Sequence, residues 1–185
     1  LGIGAIIVID VSLHKRFERF AAVNVWGYRG PVVKRKQPGE QRIVVLGGST
    51  AFGYGVTADQ AFPAFLERKL NAHWKDQELG PVSVVNLAYN NEGAYSFIYT
   101  LRDYEDLDYD VALLYEGYND LDAQRNTRVF RHDSLVFRWT GYHLIFPLVF
   151  KEKLMALTHG GNLEAAYQAE KVVFKPNLAA VKERA

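Results

Sequence analysis

The sequence predicts an α/β domain built on an open, parallel, doubly wound sheet, and three observations carry that prediction. Short apolar runs alternate with stretches of helical period in the order βαβαβ. Glycine and polar residues bound the runs. Two of the runs end on similar quartets, Gly47-Gly48-Ser49-Thr50 and Gly117-Tyr118-Asn119-Asp120. The expected strands are Ile43 to Leu46, Val82 to Leu87 and Val111 to Tyr115. Between them, Gln60 to Trp74 spaces Phe62, Phe65, Leu66 and Leu70 along one helical face, and Ala94 to Tyr104 reads as a second helix. Right-handed crossovers then give the spatial order 2-1-3, with a crevice where strands 1 and 3 lead away in opposite directions. Ser49 and Asn119 would stand at its two sides.

At the N-terminus, Leu1 to Val11 is apolar except for Asp10, and Lys15, Arg16 and Arg19 follow it. That run is about half of the roughly 20 residues a spanning helix needs, so residues 1–23 are read as the tail of a truncated membrane anchor followed by an amphipathic helix. The amphipathic helix, Leu13 to Val25, would gather Leu13, Phe17, Phe20 and Ala21 on one face. Residues 24–41, with Gly27, Gly30, Pro31, Pro38 and Gly39, form an entry loop or linker, and the regular domain spans 42–185. Within it, 127–157 is crowded with Phe130, Phe137, Trp139, Tyr142, Phe146 and Phe150, and Pro147 interrupts it. A lid, an insertion near the cleft or an interfacial surface fits that composition. The chain opens on Leu1 and stops in a helix-like stretch, Leu178 to Ala185, so we read it as a fragment of a longer protein.

Composition removes several classes of function. The chain has 185 residues, 49% of them hydrophobic and 23% charged, which supports one domain with a sizeable core. A net charge of +1 gives no electrostatic ground for a nucleic-acid partner. With no cysteine, disulfides and thiolate metal sites cannot form, and no His-x-x-x-His spacing occurs, so no metal is expected. The glycines after strand 1 do not make a nucleotide site either. Gly48 and Gly53 have P-loop spacing, but Tyr54 stands where the lysine must be. Gly53-Tyr54-Gly55-Val56-Thr57-Ala58 fits the loose dinucleotide pattern but begins too far beyond the strand, and Ala51 breaks the nucleophile elbow G-x-S-x-G. No cofactor is expected.

What remains is a serine facing an asparagine across the top of a sheet, an arrangement suited to a nucleophile and an oxyanion donor. An asparagine side chain supplies N–H groups without a charge that must be desolvated. The competing structural role for Asn119 is that of an N-cap for a helix after strand 3.

These blocks resemble the SGNH hydrolase superfamily, the GDSL-type esterases and lipases. Gly47-Gly48-Ser49 is similar to its first block, which makes Ser49 the nucleophile and one oxyanion donor, with Gly48 in support. Asn86-Leu87-Ala88 leading to Gly93-Ala94-Tyr95-Ser96 is similar to its second, with Gly93 N–H as donor, although the spacing is looser and Ala88 stands at a glycine position. Gly117, Asn119 and Asp120 match the third, with Asn119 offering its amide and Gly117 and Asp120 supporting it. Asn24-Val25-Trp26-Gly27-Tyr28-Arg29-Gly30 resembles the entry segment of bacterial members that carry an N-terminal anchor, so the likeness runs from about Asn24 to Asp120.

The resemblance implies a three-layer, flavodoxin-like parallel sheet, here incomplete at its C-terminal side, and hydrolysis of carboxylic esters through an acyl-serine intermediate. The substrate would be a small-molecule or glycan-borne ester. Membrane association through the N-terminus and a membrane-anchored or extracytoplasmic location would go with it, whereas basic residues after the apolar run argue for a cytoplasmic C-terminal side. The family's Asp-x-x-His block has no match; truncation accounts for that, and the fragment alone is expected to be inactive. His132, beside Asp133, and His143 are weak substitutes as base, and His14, His73 and His159 read as surface or packing residues. Two alternatives stay open: an O-acyltransferase acting on a glycan, and a non-catalytic module that binds a carbohydrate or a partner.

Overall fold

The computed structural model describes residues 2–18, 23–75, 80–122, 131–162 and 165. Phe20, Ala21, Thr127 to Phe130 and the helix-like stretch 178–185 of the sequence reading lie outside the described residues.

The molecule is α/β. Its three described strands are β1 (Gln41–Gly47), β2 (Val82–Asn86) and β3 (Val111–Tyr115), arranged in the order β2-β1-β3. Both pairings are parallel, with Val45 opposite Asn86 and Gly47 opposite Tyr115. This is the 2-1-3 order expected from the alternating runs. The crossover after β1 contains the short helix α2 (Ser49–Phe52), a 3-10 turn at Ala58–Gln60 and α3 (Phe62–Lys75). The crossover after β2 contains a 3-10 turn at Ala94–Ser96 and α4 (Phe97–Asp103). Both helices start later than their apolar periodicity suggests, because a 3-10 turn precedes each of them.

Period-two alternation along β1 sends its side chains to two cores. Val44 and Leu46 join Tyr28, Val85, Leu87, Phe97, Tyr104 and Phe137 on one side. Val45 joins Ala51, Phe52, Val82, Ala88 and Ile145 on the other, where Leu66 and Leu70 of α3 pack. Val44, Val45 and Leu46 are fully buried, each contributing about 1.5–3 kcal/mol of burial free energy. β3 differs although its composition is just as apolar: Val111, Leu114 and Tyr115 are 49%, 61% and 53% exposed, at the edge of the sheet among the described residues.

Residues 24–40 belong to no named strand or helix, but the chain is firmly tied there. The Asn24 side chain accepts from Trp26 N–H at 2.9 Å and donates to the Gly30 carbonyl at 2.9 Å, closing the turn. Arg29 N–H bonds the Asn86 carbonyl, and its guanidinium reaches the carbonyls of Glu18 and Val56 while lying over Phe52.

The N-terminal part departs from the sequence reading. In place of an apolar run and a separate helix reaching Val25, one continuous helix, α1, runs Gly2–Phe17, and Val23 and Asn24 are not helical. The face it docks is polar at its centre: Asp10 and His14 are both fully buried. Asp10 accepts from the Tyr142 hydroxyl at 2.7 Å and from the backbone N–H of Ile145 and Phe146, capping α6 (Phe146–Thr158) from outside that helix. His14 sets one ring nitrogen against the Val23 carbonyl and the other against that of His143. His14 is therefore a packing residue, and a buried one. No helix among the described residues is long and apolar enough to cross a membrane.

Candidate active site

The first loop of the site forms because two chain segments pass too close for side chains. A methyl group on Gly47 would meet the Tyr115 carbonyl and the Ala51 side chain, and one on Gly48 would meet the Asn119 amide nitrogen. Glycine at both positions lets the loop after β1 lie against the loop after β3. Ser49 then begins α2, and its carbonyl accepts from the N–H of Gly53 and Tyr54. Among the described residues no hydrogen bond engages the Ser49 hydroxyl. Ser49 lines a cleft of about 340 Å³ together with Thr50, Tyr54, Gln60 and Phe62.

Asparagine side chains and one aspartate link the three strand-end loops. Asn86, buried at the end of β2, donates to the Ala51 carbonyl at 2.8 Å and accepts from Ala88 N–H at 3.2 Å, which fastens α2 to the second loop. Asn119 starts a 3-10 turn, Asn119–Asp122, yet its amide reaches across to the Glu92 carbonyl at 2.7 Å. Asp120 accepts from Ala94 N–H at 3.0 and 3.2 Å through its two oxygens. Gly93 lies between those two contacts, buried and extended, directly before the Ala94–Ser96 turn. Gly117 has φ +142°, a conformation that favours glycine, and lets β3 turn into this loop. Ser49, Gly93 and Asn119 are thus brought to one end of the sheet, with Gly48, Gly117 and Asp120 as their supports.

Two carboxylates that sequence reading missed border this cluster. Glu116 accepts from Gly117 N–H at 3.1 Å and Asn119 N–H at 3.2 Å through Oε1, while its Oε2 approaches Gly48. Burial pushes its pKa up, against the pull of those N–H groups. Glu92 is fully buried; Thr100 donates to its Oε1 at 3.1 Å, and burial raises its pKa to about 7 despite the nearby Arg131 guanidinium. Oε2 of each glutamate is buried without a hydrogen-bond partner among the described residues. Both residues lie in the sequence beside the quoted blocks, and an acidic residue next to a site glycine was the available signal.

The histidines are elsewhere. His132 Nδ1 lies 2.8 Å from Asp103 Oδ1, so its close partner is Asp103, and the adjacent Asp133 is 3.8 Å from Nε2. That pair borders a separate cleft of about 550 Å³ walled by Trp26, Tyr28, Tyr104 and Phe137. His143 is packed against Gly27 and Phe137, and burial, with Arg131 and His14 nearby, lowers its pKa to about 4. Residues 131–157 thus cover Tyr104, Trp26 and α1, and none of them lines the Ser49 cleft. Among the described residues no three His, Asp or Glu side chains converge as a metal site.

No protein-family model, curated protein or solved structure matches the chain.

Proposed function

We propose that this chain carries the nucleophile and oxyanion hole of a serine esterase of the SGNH (GDSL) type, on a flavodoxin-like sheet that continues beyond β3. One observation carries the reading: the Asn119 amide lies directly over Gly48, beside Ser49, and is held there from the Gly93 loop by Glu92. The exposed apolar side chains of β3 support a longer sheet, since parallel sheets bury both faces.

In the proposed reaction the Ser49 hydroxyl oxygen attacks the ester carbonyl carbon as its proton passes to a base. The Asp-x-x-His block that the resemblance places downstream would supply that base. Charge moves to the carbonyl oxygen, which accepts from the N–H groups of Ser49 and Gly93 and from the Asn119 amide; each such donor is worth about 3–4 kcal/mol of barrier. Collapse expels the alcohol and leaves acyl-Ser49, which water, or an alcohol on a glycan, then cleaves.

The test is p-nitrophenyl acetate hydrolysis by the protein read through to its stop codon, with Ser49→Ala alongside. Hydrolysis that the substitution abolishes supports the reading, and hydrolysis that survives it removes Ser49 as nucleophile. No hydrolysis by either form, together with saturable glycan binding, moves the binding-module reading ahead.

A further inference from the structure

Large apolar side chains gather on the exposed surfaces of α1 and α6, away from the Ser49 cleft. Along α6, Phe150, Leu154 and Leu157 are 60%, 55% and 75% exposed, and their spacing of four and three residues places them on one face. Lys151 and Lys153 are exposed, and the helical period puts them on opposite flanks of that stripe. Glu152, half-buried, falls on the opposite side of the helix, together with Leu148, which is 45% exposed.

The other element is the first part of α1, where every residue from Gly4 to Ile9 is exposed; Ile6, Ile7, Val8 and Ile9 are the large ones. Four consecutive residues cover the full circumference of a helix. A protein groove covers one face of such a helix, whereas hydrocarbon covers all of them. Asp10, the next residue, bonds the first N–H groups of α6, so the base of the apolar stub and the start of the striped helix meet at one buried carboxylate. Lys15 and Arg16 are exposed one turn further on.

We propose that α1 and α6 form one membrane-contacting surface, with the Phe150–Leu154–Leu157 stripe lying in the headgroup–acyl boundary of an anionic bilayer and the Gly4–Ile9 stub entering it. Apolar burial supplies the attraction, and Lys151 and Lys153 extend their ammonium groups to lipid phosphates on either side. The proposal stands apart from the esterase reading, because it uses no residue of the Ser49 site.

The chain holds no cysteine, so one introduced cysteine reports one place. Leu154→Cys, labelled with an environment-sensitive fluorophore, is mixed with phosphatidylcholine vesicles containing roughly one third phosphatidylglycerol, where each nearby lysine should raise binding roughly fivefold. The expected result is a blue-shifted emission that nitroxide-bearing acyl chains quench, at least severalfold weaker binding to pure phosphatidylcholine, and a further loss with Lys151→Glu and Lys153→Glu. The same label at Lys75→Cys, exposed on α3, should not shift. The proposal is overturned by an unchanged emission at 154, by equal binding to neutral vesicles, or by a shift at 75 as large as that at 154. A shift at 154 that grows with protein concentration without lipid would assign the stripe to a second copy of the chain.

Discussion

Replacing Glu92 with glutamine tests whether the carboxyl behind the Asn119 contact is held neutral by burial. In the folded protein its pKa rises from 4.5 to about 7, chiefly because the carboxylate would be stripped of water. Below pH 4.5 the carboxyl is protonated in folded and unfolded chains alike and the shift contributes nothing. Between pH 4.5 and about 7 the unfolded chain releases the proton while the folded one keeps it, so the folded state loses stability as pH rises. Above about pH 7 the loss is complete and constant. At about 1.4 kcal/mol per unit of pKa, the whole effect is about 3 kcal/mol. Glutamine cannot ionise and keeps an oxygen for the Thr100 hydroxyl. Urea unfolding of both proteins across this range isolates the carboxyl, since every other titrating group is common to the pair. The difference in unfolding free energy, wild type minus Glu92→Gln, should fall by about 3 kcal/mol from acid to neutral pH. A flat difference, or one that rises with pH, would show that Glu92 is ionised in the fold and paired with Arg131.

In the protein read through to its stop codon, the proposed reaction requires Asn119→Ala to lower kcat for p-nitrophenyl acetate by about 10²- to 10³-fold with little change in KM, because a donor in that role acts on charge that develops only in the transition state. A change confined to KM would mean that Asn119 only fastens the two loops. Asp10→Ala should destabilise the protein by roughly 3 kcal/mol, since the Tyr142 hydroxyl and two backbone N–H groups lose their acceptor. Hydrogen exchange at Ile145 and Phe146 should accelerate in that variant, and unchanged protection there would refute the capping role.

The parts of the fold legible in the sequence are those with a local signal. Apolar runs bounded by glycine located all three strands, and apolar spacing located α3, because both patterns follow from burying one face of a regular element. Ser49 and Asn119 were legible as polar residues beside strand-end glycines. Contacts between residues far apart in the chain leave no such trace. Asp10 meets Tyr142 and Ile145 across more than 130 positions, and its only local sign is that a charge interrupts an apolar run. An ionisable group in such a run is either displayed to solvent or buried with partners, and only the fold decides which. Likewise β3 reads like β1, but composition alone does not reveal that its apolar side chains are more exposed than those of β1.

The amides show how the site differs from the scaffold that holds it. Asn24, Asn71 and Asn86 each use both ends of the side chain on backbone groups: the oxygen accepts an N–H and the nitrogen donates to a carbonyl. An amide used in this way cross-links two segments and leaves little capacity for a ligand. Asn119 has the same chemistry, but its side chain engages the protein through the nitrogen alone among the described residues. One of its N–H groups fixes it to the Glu92 carbonyl, while no hydrogen bond engages its Oδ1 among the described residues. A half-buried amide with capacity to spare loses some of its hydration without full repayment from protein partners. An oxygen that gains negative charge beside Ser49 would take the remaining N–H, and the Glu92 carbonyl already holds the amide in place, so little reorganisation is needed when that charge appears.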